Sequence, residues 1–342
     1  MKIWIDILTP KQLLFSELII EKLGKKYKIL CTARDYNEVI KLAKIRNLNL
    51  VFVGKHGGGD KKTKLQASIS RMGKLFKIIE RFSPDIVISF CSPEAARISF
   101  GLGIKHVAFC DSPHASAVMR LTLPLIQKLL IPNVIPKNEF SKYGIEKNDI
   151  ISYNAIDAVV TVKRKINQNK SLPFKDGDKK NILIRIEEEE ASYASKSSKI
   201  IPIIKQIVHK YDKENIVILG RYTNQIKNIQ KIIGKKAKVI KMTFDGKYLL
   251  SNTDIFIGSG GTMTAESALM GIPTISYNAV PNIIENFLVK KCLIKRETDP
   301  IKVSKYIKNV FESSSKIKQK RAKKIVTQME NPIQKLIKII NE

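Results

Sequence analysis

The sequence predicts an α/β protein of two Rossmann-like domains, each built on a parallel sheet. Three observations carry this. Short apolar runs rich in β-branched residues alternate with helical stretches along residues 1–162. The alternation restarts after a stretch rich in Lys, Asn, Gly and Asp at 163–180, which reads as an interdomain linker. Finally, residues 254–266, Asp-Ile-Phe-Ile-Gly-Ser-Gly-Gly-Thr-Met-Thr-Ala-Glu, read as a short strand, a glycine turn and a helix start.

In the first half, strands are expected at 3–7, 28–31, 50–53, 86–90 and 106–110, with a shorter one at 150–152. Helical spacing places helices at 11–23, 37–45, 64–81 and 93–101. In the second half, 181–300, strands are expected at 182–185, 216–219, 238–241, 255–257 and 274–276. The helices between them fall at 192–209, 224–233, 248–252 and 263–270. Residues 301–342 are helical and strongly basic. The two domains are expected to face a cleft, with ligands at the C-terminal ends of the strands.

With 342 residues and 44% hydrophobic content, the chain can support two cores. Cys31, Cys91, Cys110 and Cys292 lack metal-type spacing and read as thiols in a reducing compartment. No metal and no cofactor is expected. The strand-like first residues are broken early by Asp6 and do not read as a secretion signal. The most apolar stretch, 117–136, contains Arg120, Gln127, Lys128 and three prolines, too polar to span a membrane. The expectation is a cytoplasmic protein.

The net charge of +30 implies attraction to anions such as nucleotides, nucleic acid or an acidic membrane surface. Lys outnumbers Arg 50 to 11 and is spread along the chain, which an AT-rich coding sequence also produces. No basic motif interleaved with aromatics appears, so a nucleic-acid partner is not expected. An anionic membrane surface, with a lipid-linked phosphate as acceptor, would give the charge a purpose.

The glycine turn is the most informative segment. Gly258, Gly260 and Gly261 leave helix N–H groups open at the positive end of the helix dipole, which suits a phosphate. Ser259, Thr262 and Thr264 add hydroxyls around Met263, and Glu266 one turn further on suits a ribose diol. Arg185 and Arg221 each end a strand and could neutralise a diphosphate or stand free on the surface. Met242 and Phe244 could cover a base or pack in the core.

In the first half, functional residues are expected where strands end. Asp6, His56, Glu94, Asp111 and His114 fall on that rim. His114 could be a general base oriented by Asp111, or Asp111 could cap a helix starting at Pro113. His56, in a loop with Gly57 and Gly58, reads as part of a flap over an anionic ligand or as surface loop. Thr9, Pro10 and Gln12 follow the first strand and are expected to line the acceptor side.

Residues 239–275 resemble the nucleotide-sugar half of GT-B glycosyltransferases, especially the peptidoglycan N-acetylglucosaminyltransferase. Phe244, Tyr248, Asp254, Ser259, Gly260, Glu266, Gly271 and Pro273 fall in that family's order, with Met263 where it has Thr. The resemblance implies a metal-independent enzyme, Glu266 on the ribose of UDP, Phe244 against uracil, and a C-terminal tail, 301–342, that packs back toward the first domain. Hydrolysing UDP-N-acetylglucosamine 2-epimerases share the fold and the double glycine, but their glutamates come sooner after it. Over its whole length the chain resembles the predominantly archaeal domain of unknown function 354 family. The matching pieces are Trp4-Ile5-Asp6, Thr9-Pro10, Thr32-Ala33-Arg34-Asp35, Gly54-Lys55-His56-Gly57, Ser92-Pro93-Glu94-Ala95, Asp111-Ser112-Pro113-His114-Ala115 and Gly260-Gly261-Thr262-Met263. The chain departs from that pattern at Leu8 and Cys91, where glycine is expected, and at Cys110, where asparagine is. The expectation is a UDP-sugar-dependent GT-B glycosyltransferase. A UDP-sugar 2-epimerase and a non-catalytic nucleotide-sugar-binding protein are the alternatives.

Overall fold

The computed structural model describes residues 1–166, 172–174, 177–187, 200–220, 222–240, 245–279, 281–313 and 316–341. They form two compact units, Met1–Arg164 with Glu330–Glu342, and Lys165–Met329.

The first unit holds a parallel sheet of seven strands: β1 Lys2–Ile7, β2 Lys28–Asp35, β3 Val51–Lys55, β4 Ile86–Ser89, β5 Lys105–Phe109, β6 Lys128–Pro132 and β7 Ile150–Tyr153. Their order is β3-β2-β1-β4-β5-β6-β7. Strand order reverses between β1 and β4, which places a ligand crevice at their C-terminal ends. On one face, Trp4 of β1 and Val87 of β4 pack with Leu75 and Ile79 from the helix Lys61–Phe82.

The second unit holds six parallel strands: β8 Asn181–Arg185, β9 Asn215–Leu219, β10 Lys238–Ile240, β11 Ile255–Gly258, β12 Thr274–Ser276 and β13 Ile294–Arg296. Their order is β10-β9-β8-β11-β12-β13, so this sheet reverses between β8 and β11. The strand pleat sorts its core. Ile182 and Ile184 join a cluster on one face, while Leu183 joins Leu249, Leu250 and Phe256 on the other. The helix Ile200–Lys210 buries Ile200, Ile203, Ile204, Ile207 and Val208, the i, i+3, i+4, i+7, i+8 stripe of an amphipathic helix. Residues 192–199 of the expected helix lie outside the described residues.

Two strands were not legible. The apolar stretch 117–136 divides into the helix Ser116–Thr122, a turn at Leu123–Leu125 and β6. Its prolines sit where helix and strand each end or begin. β13 is a three-residue edge strand after the helix Ile283–Lys290, too short for a period to show. The tail 301–342 is divided. Val303 and Ile307 of the helix Pro300–Glu312 join the second unit's core. The helix Lys316–Gln328 comes so close to Gly271 that a Cβ there would meet the Gln319 backbone at 2.7 Å. The helix Pro332–Asn341 belongs to the first unit, where Ile339 O accepts from Lys105 Nζ at 3.3 Å.

Candidate functional site

At the β1–β4 reversal of the first unit stands a buried ionic cluster. Asp6, at the end of β1, accepts from Arg71 Nη2 at 2.6 Å and Nη1 at 3.1 Å, from Ser92 Oγ at 2.6 Å and from Thr32 Oγ1 at 2.7 Å. Trp4 Nε1 donates to Thr32 at 2.7 Å, and Arg71 Nε to Val53 O at 3.0 Å. Burial would push the Asp6 carboxyl up, but the Arg71 guanidinium and the two hydroxyls hold it below the ordinary carboxylate value. Gly54, at φ +70°, lets Arg71 pass: a Cβ would stand 2.7 Å from the arginine's own. Glu94 is buried alongside, its Oε2 3.5 Å from Arg71 Nη1. Cys91, between β4 and the helix Pro93–Gly101, has φ +50°, the left-handed conformation that a glycine would adopt without strain.

The loop after β5 carries the next cluster. Lys11 pairs with Asp111 and lies 2.8 Å from Asp157 Oδ2, while Tyr153 donates to Asp157. Burial works against the Lys11 ammonium, but the two carboxylates raise its pKa above the ordinary lysine value. Burial raises Asp157, whereas Lys11 outweighs burial at Asp111 and lowers it. Ser112 Oγ also donates to Asp111, at 2.9 Å. Asp111 is therefore not the cap of a helix at Pro113. The next helix starts at Ser116, after Ala115 and without a side-chain cap, and the Asp111 carboxylate is held by Lys11 and Ser112. His114 is exposed on this loop. Partial desolvation lowers its pKa, and the nearby Asp111 charge offsets only part of that.

The remaining first-unit residues make local contacts. Thr9 caps the helix Pro10–Leu23 with Pro10 in its first turn, and Gln12 Oε1 accepts from Leu8 N at 2.7 Å. His56 Nδ1 accepts from Gly58 N at 3.1 Å, with its ring against Tyr36. Gly57 lies against the next helix, where a Cβ would meet Lys64 Cα at 2.6 Å.

In the second unit the glycine turn lies at the β8–β11 reversal. Gly260 has φ +96°, and a Cβ there would stand 3.2 Å from Ser276 Oγ and 3.3 Å from Glu285 Cγ. Its N–H donates to Thr264 Oγ1 at 3.2 Å, and its carbonyl accepts from Asn282 Nδ2 at 3.1 Å. The helix Thr262–Leu269 follows Gly261, whose N-cap position supplies no side-chain acceptor for its first N–H groups at the positive dipole end. Ser259 and Met263 are half-buried around this start, Thr262 is exposed and Thr264 is turned inward. Glu266 is buried, and a Cβ on Gly246 would stand 3.8 Å from its Oε2. Across the reversal, Arg185 at the end of β8 directs Nη1 to Gly220 O at 3.5 Å. Arg221, Met242 and Phe244 lie outside the described residues.

Sequence reading missed the groups that hold these residues. Arg71 is 65 residues from Asp6, and Asp157 is 46 after Asp111. Asn282 caps the helix Ile283–Lys290 while holding Gly260, and buried Glu285 pairs with Arg296. His106 is wholly buried between Ser89 Oγ at 2.8 Å and Ser99 Oγ at 3.0 Å. Ser99 donates to Ala96 O, so Nδ1 carries the imidazole proton and Nε2 accepts from Ser89. A cavity of about 380 Å³ lined by Lys180, Asp254 and Phe311 lies at the strand starts, away from the glycine turn.

The two sheets with flanking helices form a GT-B fold. The structure superposes on a Neisseria meningitidis UDP-GlcNAc 2-epimerase bound to UDP-GlcNAc at TM-score 0.77, with 18% identity and 99% of each chain covered. It superposes on SsfS6, a Streptomyces sp. SF2575 glycosyltransferase, at TM-score 0.61, with 11% identity and 100% of each chain covered. An uncharacterized protein of Methanocaldococcus jannaschii is 32% identical over 319 residues, 90% of this chain and 91% of that one. The model of the family described as "Protein of unknown function (DUF354)" matches residues 1–342, and the chain belongs to that family.

Proposed function

We propose that this chain is a UDP-sugar-dependent glycosyltransferase whose second unit holds the nucleotide. The observation that carries the reading is the convergence at the β8–β11 reversal. An uncapped helix start, Gly260 at φ +96° and the buried Glu266 carboxylate meet at the strand end where such folds bind ligands. In this reading the first N–H groups of the helix and Arg185 meet the diphosphate, and Glu266 accepts from the ribose hydroxyls. A GT-B neighbour that carries UDP-GlcNAc supports the choice of ligand class.

The transfer reading rests on the first unit. Carboxylates at its strand ends are engaged: Asp6 and Glu94 by Arg71, Asp111 and Asp157 by Lys11. Epimerisation needs acid and base groups at both faces of one sugar carbon. A single base suffices for transfer. His114, with its pKa lowered, is neutral near pH 7 and able to accept a proton. The acceptor oxygen attacks the anomeric carbon, its proton passes to the His114 imidazole, and the bond to UDP breaks with the charge left on the diphosphate. The acceptor in this reading is a lipid-linked or membrane-proximal group.

Incubation of the protein alone with UDP-GlcNAc, followed by NMR of the sugar, tests this. The sugar should stay unchanged and bound until an acceptor is supplied. Appearance of the 2-epimer without acceptor would replace transfer by epimerisation.

A further inference from the structure

The helix Lys61–Phe82 presents two faces that its place in the first unit does not explain. Arg71, Leu75 and Ile79 bury one side. Beside that side, Leu65 is 62% exposed, Ile69 57% and Phe76 42%, with half-buried Met72 between them. These are positions i, i+4, i+7 and i+11, one continuous stripe about 16 Å long. The edge strand β3, against which the helix packs, adds exposed Val51, on the face from which Val53 meets the helix. Soluble proteins seldom leave such a stripe bare. Lys61 and Lys62 flank its N-terminal end and Lys77 lies on the side next to it, while Lys74 and Arg81 stand on the opposite side of the helix, and Glu80 is the one acidic residue within the helix.

We propose that this helix docks the first unit on an anionic phospholipid bilayer. Leu65, Ile69 and Phe76 would enter the boundary between headgroups and acyl chains while the lysines meet lipid phosphates. The charge selects this occupant over a second copy of the chain. Two such helices packed face to face would bring their lysines together with a single glutamate each to offset them. The proposal stands apart from the donor site, because every residue it uses lies in the first unit.

Sedimentation with phosphatidylcholine vesicles, with and without phosphatidylglycerol, tests it. Wild type should bind the anionic vesicles, less as salt rises through the screening range, and bind the neutral ones poorly. The triple variant Leu65→Ser, Ile69→Ser, Phe76→Ser should lose about tenfold or more in binding. Reversal of Lys61, Lys62 and Lys77 to Glu should lose at least as much. Reversal of Lys320, Lys323 and Lys324 to Glu, on the helix Lys316–Gln328, makes the same change in charge and should retain most of the binding. Equal loss in the two reversals would reduce the effect to net charge and overturn the proposal. So would unchanged binding of the serine variant. A dimer in light scattering that becomes a monomer in the serine variant would assign the stripe to a second copy. If the serine variant does not fold, the comparison of the two reversals decides alone.

Discussion

Arg71 crosses from the middle of its helix to grip both carboxylate oxygens of Asp6, at 2.6 and 3.1 Å, inside the first sheet's reversal point. Both side chains are about 1% exposed. This one contact joins β1 to the helix Lys61–Phe82, and Ser92 extends it to the loop after β4.

Breaking the pair leaves a bare buried charge, so Arg71→Met should destabilise the first unit by about 3–5 kcal/mol. Denaturant unfolding would show it. Asp6 has a folded pKa below the ordinary carboxylate value of 3.8, so its stabilisation is complete above that value and lost as pH falls through the folded pKa. Acid unfolding of wild type should therefore extend to lower pH than that of Arg71→Met.

His106 should stay neutral through the physiological range. Burial lowers its pKa from 6.5 to about 3. Between those values the unfolded chain binds one more proton than the folded one, so stability falls with acid at up to about 1.4 kcal/mol per pH unit from this group. Its imidazole NMR signals should not titrate between pH 5 and 8, roughly the range in which an unperturbed histidine changes charge. A shift in that range would place it in contact with water.

Gly260→Ala should cost stability and ligand binding together. The φ of +96° strains any side chain, and Ser276 and Glu285 leave only 3.2 to 3.3 Å for a Cβ. A loss of about 1–3 kcal/mol in thermal unfolding is expected. Gly58→Ala, with a positive φ but nothing within 4 Å, should cost less.

The fold was legible because its strands and helices are local patterns. β11, the glycine turn and the helix after it are all visible in a short run of residues, and Cys91, where the family pattern has glycine, has the φ of +50° that glycine favours. What could not be read is long-range. Nothing near Asp6 in sequence announces Arg71, and nothing near Asp111 announces Lys11 or Tyr153. His106 lies mid-strand among apolar residues, where no spacing separates a buried imidazole from an exposed one. The helix expected at 11–23 begins at Pro10 with Thr9 as its cap, so Thr9, Pro10 and Gln12 stand at a helix start.

His114→Ala should reduce transfer about 10²–10⁴-fold and leave nucleotide affinity nearly unchanged, as loss of a general base does. Since its pKa is lowered, kcat/KM in wild type should be flat near pH 7 and fall only on the acid side of the ordinary histidine value of 6.5. Full activity in the variant, in a protein that still binds donor, would move the base to another group.

The central claim is that the second unit holds a uridine nucleotide at the β8–β11 reversal. Calorimetric titration of UDP into wild type and Glu266→Ala tests it most directly. Wild type should bind one UDP per chain, and the variant should fold normally but bind about 1–3 kcal/mol more weakly, the range for a charged hydrogen bond lost. Equal UDP affinity in the two proteins, or no UDP binding by a folded wild type, would contradict the claim.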